Sequence, residues 1–140
     1  MKRIILSLIL TIVGSATCVF SQDNNNMSKD RFIIIDDISS FFVEKENCIE
    51  VDSLFIHNFD ENESSKPIHV AVNKIKDVIK FGIASGSETH YEQRRCYIRM
   101  KKSNYQENFY KALLFMDIKY VMLNEQKMTP SEFFELTINR

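Results

Sequence analysis

The stretch Arg95-Cys96-Tyr97-Ile98-Arg99-Met100-Lys101 alternates basic or aromatic side chains with apolar ones at every second position. Successive side chains of a strand point to opposite faces, so a period of two marks a half-buried β-strand. Cys96, Ile98 and Met100 form its inward set, and Arg95, Tyr97, Arg99 and Lys101 its outward set. The strand is expected within His90 to Lys102. Downstream the period changes. Tyr105, Phe109, Ala112 and Leu113 recur at helical spacing, which predicts an amphipathic helix within Asn104 to Phe115. Ile118 to Leu123 reads as a strand and Asn124-Glu125-Gln126-Lys127 as a turn. Thr129-Pro130-Ser131-Glu132 is a capping box with Pro at the first helical position. It starts a C-terminal helix through Phe133, Phe134 and Leu136. Strand, helix, strand and capped helix in succession set the expected class. That class is α+β: one small domain with a four- or five-stranded, mainly antiparallel sheet and two or three short helices.

Upstream, Phe32-Ile33-Ile34-Ile35 is a β-branched run that reads as a buried strand within Arg31 to Asp36. Ile38, Phe41 and Phe42 fall at i, i+3 and i+4 and favour one or two helical turns. Cys48 to Phe59 is apolar and β-rich, a strand with an irregularity near Asp52-Ser53. Asp60 to Lys66, ending at Pro67, is a charged solvent loop. Ile68 to Val72 alternates like a strand. Ile75, Val78 and Ile79 sit at helical spacing within Asn73 to Phe81, with a strand around Val78 to Phe81 as the alternative. Gly82 to Ser87 reads as a turn or loop.

The N-terminus has a different character. Lys2 and Arg3 precede an apolar run from Ile4 to Val13, and Val19 and Ser21 fit the −3 and −1 sites of a signal peptidase. Residues 1–21 are therefore expected to be a signal peptide, residues 22–30 a polar flexible leader, and residues 31–140 the single domain. The apolar run is shorter than the roughly 20 residues that span a bilayer. The expected location is the periplasm, the envelope surface or outside the cell. The alternative is a lipid anchor at Cys18, behind Ser15-Ala16-Thr17. Loss of residues 1–21 removes Lys2 and Arg3, which takes the net charge from −1 to −3 and leaves 119 of the 140 residues. A chain of this charge is a poor nucleic-acid binder. Its 44% hydrophobic content excludes global disorder. No second apolar run reaches membrane-spanning length.

Export into an oxidising compartment makes a Cys48–Cys96 disulfide the expectation. It would close a loop of about 49 residues and contribute about 4 kcal/mol in the chain-entropy model. One feature opposes it: Ile49 and Val51 look like the inward pair beside Cys48, which turns Cys48 away from the face of Cys96.

Catalytic and metal signatures are sparse. His57, His69 and His90 form no HxxxH, HExxH or HxH pair, so no metal site is expected. Asp36, Asp37, Asp60, Glu61 and Glu63 lack the spacing of a calcium loop and read as solvated acids. Gly82-Ile83-Ala84-Ser85-Gly86-Ser87 fits neither a nucleophile elbow nor a phosphate loop. Arg94, Arg95, Arg99, Lys101 and Lys102, with Tyr91 and Tyr97, make a basic and aromatic strand face suited to an anionic ligand or a partner's acidic patch.

Two stretches carry a family resemblance. Tyr120-Val121-Met122-Leu123-Asn124-Glu125-Gln126-Lys127-Met128, followed by Glu132-Phe133, is similar to a strand–turn–helix segment of the plug of TonB-dependent outer-membrane receptors. Ile75 to Lys80, Tyr91 and Cys96 to Lys102 resemble the plug's strand, loop and terminal strand. Together they cover about a third of the chain. Glu125 stands where the plug pattern has a turn glycine, and the two stretches run in the opposite order. A barrel needs many more strands than 119 residues hold. The resemblance implies a free-standing plug-like module and carries over no functional residue.

The leading expectation is a non-enzymatic exported binding module with no cofactor, using Tyr97, Arg99 and Lys101 toward an envelope protein or an anionic ligand. Nucleic acid is not expected as a partner. The competing class is a small exported hydrolase, which needs His57, His69 or His90 to converge with a carboxylate or Ser85. A third is a structural subunit of an envelope assembly.

Overall fold

A computed structural model describes residues 30–60, 62–84 and 92–140. In chain order these form β1 (Arg31–Ile35), α1 (Ile38–Phe41), β2 (Val43–Glu44), β3 (Cys48–His57), α2 (Lys66–Asn73) and β4 (Val78–Ile83). There follow β5 (Gln93–Lys101), α3 (Tyr105–Phe115), β6 (Ile118–Leu123), β7 (Gln126–Met128) and α4 (Pro130–Ile138). The protein is a single small α+β domain.

The strands join one sheet in the order β4-β5-β3-β1-β6-β7, with β2 paired to β3. β1 runs antiparallel to β3 and parallel to β6, so the sheet is mixed. The expected four or five strands become seven, and the two or three helices become four, among the described residues. The additional strands are short: β2 is two residues long and β7 is three. Such lengths carry too few residues for a periodicity to show. The β1–β6 pairing joins residues more than 80 positions apart, for example Phe32 with Tyr120, and local patterning says nothing about it.

Several local expectations hold. Asp37 caps α1, its side chain accepting from the Ser39 backbone N–H at 2.8 Å. β3 carries its irregularity where Asp52-Ser53 interrupts the pattern. Its register passes from Val51↔Ile98 to Leu54↔Cys96, one residue more on β3 than on β5. This bulge lets Val51 and Leu54 both face the core. The capping box at α4 is complete, with Thr129 Oγ1 accepting from the Glu132 N–H and the Glu132 carboxylate accepting from the Thr129 N–H.

The region from residue 66 to residue 83 differs. Ile68 to Val72 is helix, not strand, and Val78 to Phe81 takes the strand alternative in place of the helical one. Pro67 sits at the first turn of α2, whose buried residues Ile68 and Val72 are spaced i and i+4, with Ile75 buried just past the C-cap Lys74. That helical stripe outweighs the β propensity of Val70 and Val72. Asn73 then stitches the end of α2 to the edge strand. Its amide nitrogen donates to the Phe81 carbonyl at 3.2 Å, and its oxygen accepts from the Phe81 N–H at 3.0 Å.

The core is one cluster between the sheet and its helices. α2 contributes Ile68 and Val72, α3 contributes Phe109, Ala112 and Leu113, and α4 contributes Phe133. Phe41 and Phe42 pack edge-on against Phe109 at 5.4 and 5.3 Å. All four helices therefore cover the same face of the sheet. The opposite face carries no helix among the described residues.

Candidate functional site

The uncovered sheet face is built by alternation. On β1, Ile33 and Ile35 are buried while Ile34 is 47% exposed. The run Phe32 to Ile35 is thus half-buried, not wholly buried as expected. β3 alternates the same way: Leu54 and Ile56 face the core, while Phe55 is 38% exposed. Two cross-strand rows result. The first is Tyr120 (β6), Phe32 (β1), His57 (β3) and Gln93 (β5). The second pairs Met122 with Ile34 and Phe55 with Arg95, and extending the antiparallel register by one residue sets Ile34 beside Phe55.

The first row is a stack. The Phe32 ring lies 4.7 Å from His57 at 15° and 4.8 Å from Tyr120 at 5°. Lys127 Nζ sits 4.1 Å from the centroid of Tyr120. Gln93 Nε2 lies 3.2 Å from His57 Nδ1, a contact in which the neutral ring accepts. Burial holds the His57 pKa below the ordinary histidine value, favouring that neutral ring. Phe32 is stacked on both sides, by His57 and by Tyr120, so neither of its π faces is open. A nucleobase platform needs the reverse, an open ring face. The floor of the β1–β6 half is a groove of about 660 Å³ over Phe32, Ile34, Tyr120 and Met122, rimmed by Asp36, Asn124 and Glu125.

Tyr97, Arg99 and Lys101 lie on this face, as expected. The Tyr97 ring covers Gly82, where an added Cβ would meet Cδ1 at 3.1 Å, and Lys80 Nζ lies 5.4 Å from its centroid. Arg99 is tied to Glu50 on β3, with Nε and Nη2 at 2.6 and 2.5 Å from the same carboxylate oxygen. Lys101 pairs with Asp77 at 2.9 Å, a contact that lowers the Asp77 pKa. Both charges are thereby spent inside the chain. Arg95, in the same outward set, makes no ion pair among the described residues and is exposed. Sequence reasoning ranked it below Arg99, because the acids opposite Arg99 and Lys101 come from β3 and the turn before β4.

Arg94 is a correction to the basic face. It turns into the core side, 1% exposed, with its guanidinium 4.8 Å from the Phe59 centroid and Nη2 donating to the Asp60 carbonyl at 3.2 Å. Arg31 lies over the same ring at 4.4 Å. Lys102 pairs with Glu44 at 2.7 Å.

The Cys48–Cys96 disulfide is also corrected: both thiols are free and buried. Cys48 pairs with Lys101 and Cys96 with Leu54, so they stand five positions apart along β5 and on opposite faces. At about 3.4 Å per residue that is roughly 17 Å, far beyond the reach of a disulfide. Burial pushes the Cys96 thiol up to about 12, which keeps it protonated.

His57 lies on the open face and His69 on α2, which packs on the other face, 6.3 Å from Phe81. These two do not converge. Residues 1–21, Cys18, the leader up to residue 29, Glu61, Ser85, His90 and Tyr91 lie outside the described residues. Among the described residues no three His, Cys, Asp or Glu side chains cluster as metal ligands. No helix there is long and apolar enough to cross a membrane.

The segment from Tyr120 to Phe133 folds as strand, turn, strand and capped helix. Set against known protein families, curated proteins and solved structures, the chain matches none of them.

Proposed function

We propose that this protein is an exported, non-enzymatic binding module that presents its uncovered sheet face to a protein partner. The observation that carries the reading is the placement of all four helices on one face, which leaves Ile34 and Phe55 half in water on the other. Large apolar side chains in a contiguous exposed patch mark interaction surfaces. The Phe32, Ile34, Phe55 and Met122 side chains offer an apolar surface suited to a partner's aliphatic side chains. Arg95, Lys80 and Lys127 supply charge around it, with Tyr97, Arg99 and Lys101 at its β4–β5 end. Export rests on the signal-peptide pattern of residues 1–21, and the likeness to receptor plugs adds a free-standing envelope module to the same reading.

The test is capture from an envelope extract by the chain as its producing cell processes it. Ile34→Ser and Arg95→Glu are expected to abolish capture while the circular dichroism spectrum stays unchanged. Arg99→Glu, which sets a carboxylate against Glu50, serves as a comparison that disturbs the fold locally. Capture that survives both Ile34→Ser and Arg95→Glu overturns the reading.

A further inference from the structure

We infer that the partner seated on the uncovered face is a second copy of this chain, the two sheets packing as a two-fold sandwich. The inference rests on the binding-face reading above and names its occupant. The two rows of the open face run across β6, β1, β3 and β5, so their midline falls between β1 and β3. A two-fold axis along that midline, parallel to the strands, lays β1 of one copy over β3 of the other and β6 over β5. Ile34 then meets Phe55, and Phe32 meets His57. Met122 meets the aliphatic stem of Arg95.

The charges fall in step. Arg95 makes no ion pair among the described residues, and neither do Asp36 and Glu125, which rim the groove that holds Met122. The same rotation brings the Arg95 guanidinium to that rim, twice per dimer. The surface is therefore self-complementary, as an isologous contact requires. Strands kept near-parallel across the contact match the aligned packing of β-sandwiches. The size also fits. Six strands at about 4.8 Å spacing and about 20 Å long make a face of roughly 580 Å² per copy. Two copies reach roughly 1,200 Å², the lower end of stable protein interfaces.

Sedimentation velocity on the chain as its producing cell processes it, across a micromolar concentration series, gives the test. The expected result is a species of twice the monomer mass. Arg95→Glu, present at two symmetric contacts, should raise the dissociation constant about tenfold or more. Combining it with Glu125→Lys should restore the dimer by exchanging the charges. A dimer indifferent to both Arg95→Glu and Ile34→Ser overturns the proposal by placing the contact elsewhere. A monomer at every concentration also overturns it. If that monomer still loses envelope capture on Ile34→Ser, the face binds a different protein and the binding-face reading stands. If capture is unaffected as well, both readings fall.

Discussion

Ile33 and Ile34 are neighbours in one β-branched run, yet the fold gives them opposite environments. Ile33 is 0% exposed and Ile34 is 47% exposed. Ile33→Ala deletes buried carbons and leaves a cavity among Ile56, Val121 and their neighbours, which should cost about 3–4 kcal/mol. Ile34 keeps about half of its surface in water, so Ile34→Ala forfeits about half of a full transfer term and leaves no closed cavity. That amounts to about 1 kcal/mol. Both changes lose the same strand propensity, which cancels in the comparison. The expected gap is about 2–3 kcal/mol, a large part of the roughly 5–15 kcal/mol that holds a domain of this size. Equilibrium urea unfolding read by far-ultraviolet circular dichroism measures it, with matching slopes as the check that the same surface unfolds. The measurement belongs in the Arg95→Glu background, where the face is held uncovered. Equal losses for the two substitutions would refute the alternation on β1, and with it the uncovered face.

Four further outcomes follow from individual residues. Glu125 holds φ at 65°, a conformation that suits glycine, so Glu125→Gly should stabilise the fold by about 0.5–1 kcal/mol and raise the melting temperature by a few degrees. Thr129→Ala removes the α4 cap and should cost about 1 kcal/mol in the same unfolding assay. The folded-state pKa of His57 is depressed, so its contribution is whole above the unfolded histidine value near 6.5 and is lost as pH falls below it. Melting temperature should therefore drop across mildly acidic pH in the wild type, where protonation also turns Nδ1 from acceptor to donor against Gln93, and His57→Gln should flatten that slope. A non-reducing peptide map should show no Cys48–Cys96 link, and Cys96 should alkylate quickly only in denaturant.

The likeness between pattern and fold varies along the chain for definable reasons. β5, α3, β6 and α4 were legible because each is long enough to repeat its period or is opened by a specific cap. The β3 bulge showed as a break in alternation at Asp52-Ser53. The α2–β4 region misled because Ile68, Val70 and Val72 alternate while the buried set steps by a helical turn. Of the site, Tyr97, Arg99 and Lys101 were placed on the correct face by their alternation with Cys96, Ile98 and Met100. The internal partners of Arg99 and Lys101 were not visible, since Glu50 and Asp77 reach them only through strand pairing. Arg94 was misplaced because its burial depends on Phe59 lying beneath it.

By itself the sequence determined the class of the domain, the half-buried alternation of β5 and the capped final helix. Only the tertiary structure decided that β1 inserts between β3 and β6, that all the helices gather on one side, and that Phe32, His57 and Tyr120 stack into a row. Periodicity records which way a side chain points relative to its own element. It does not record which element comes to lie across from it, because that is settled by pairing between residues far apart in the chain.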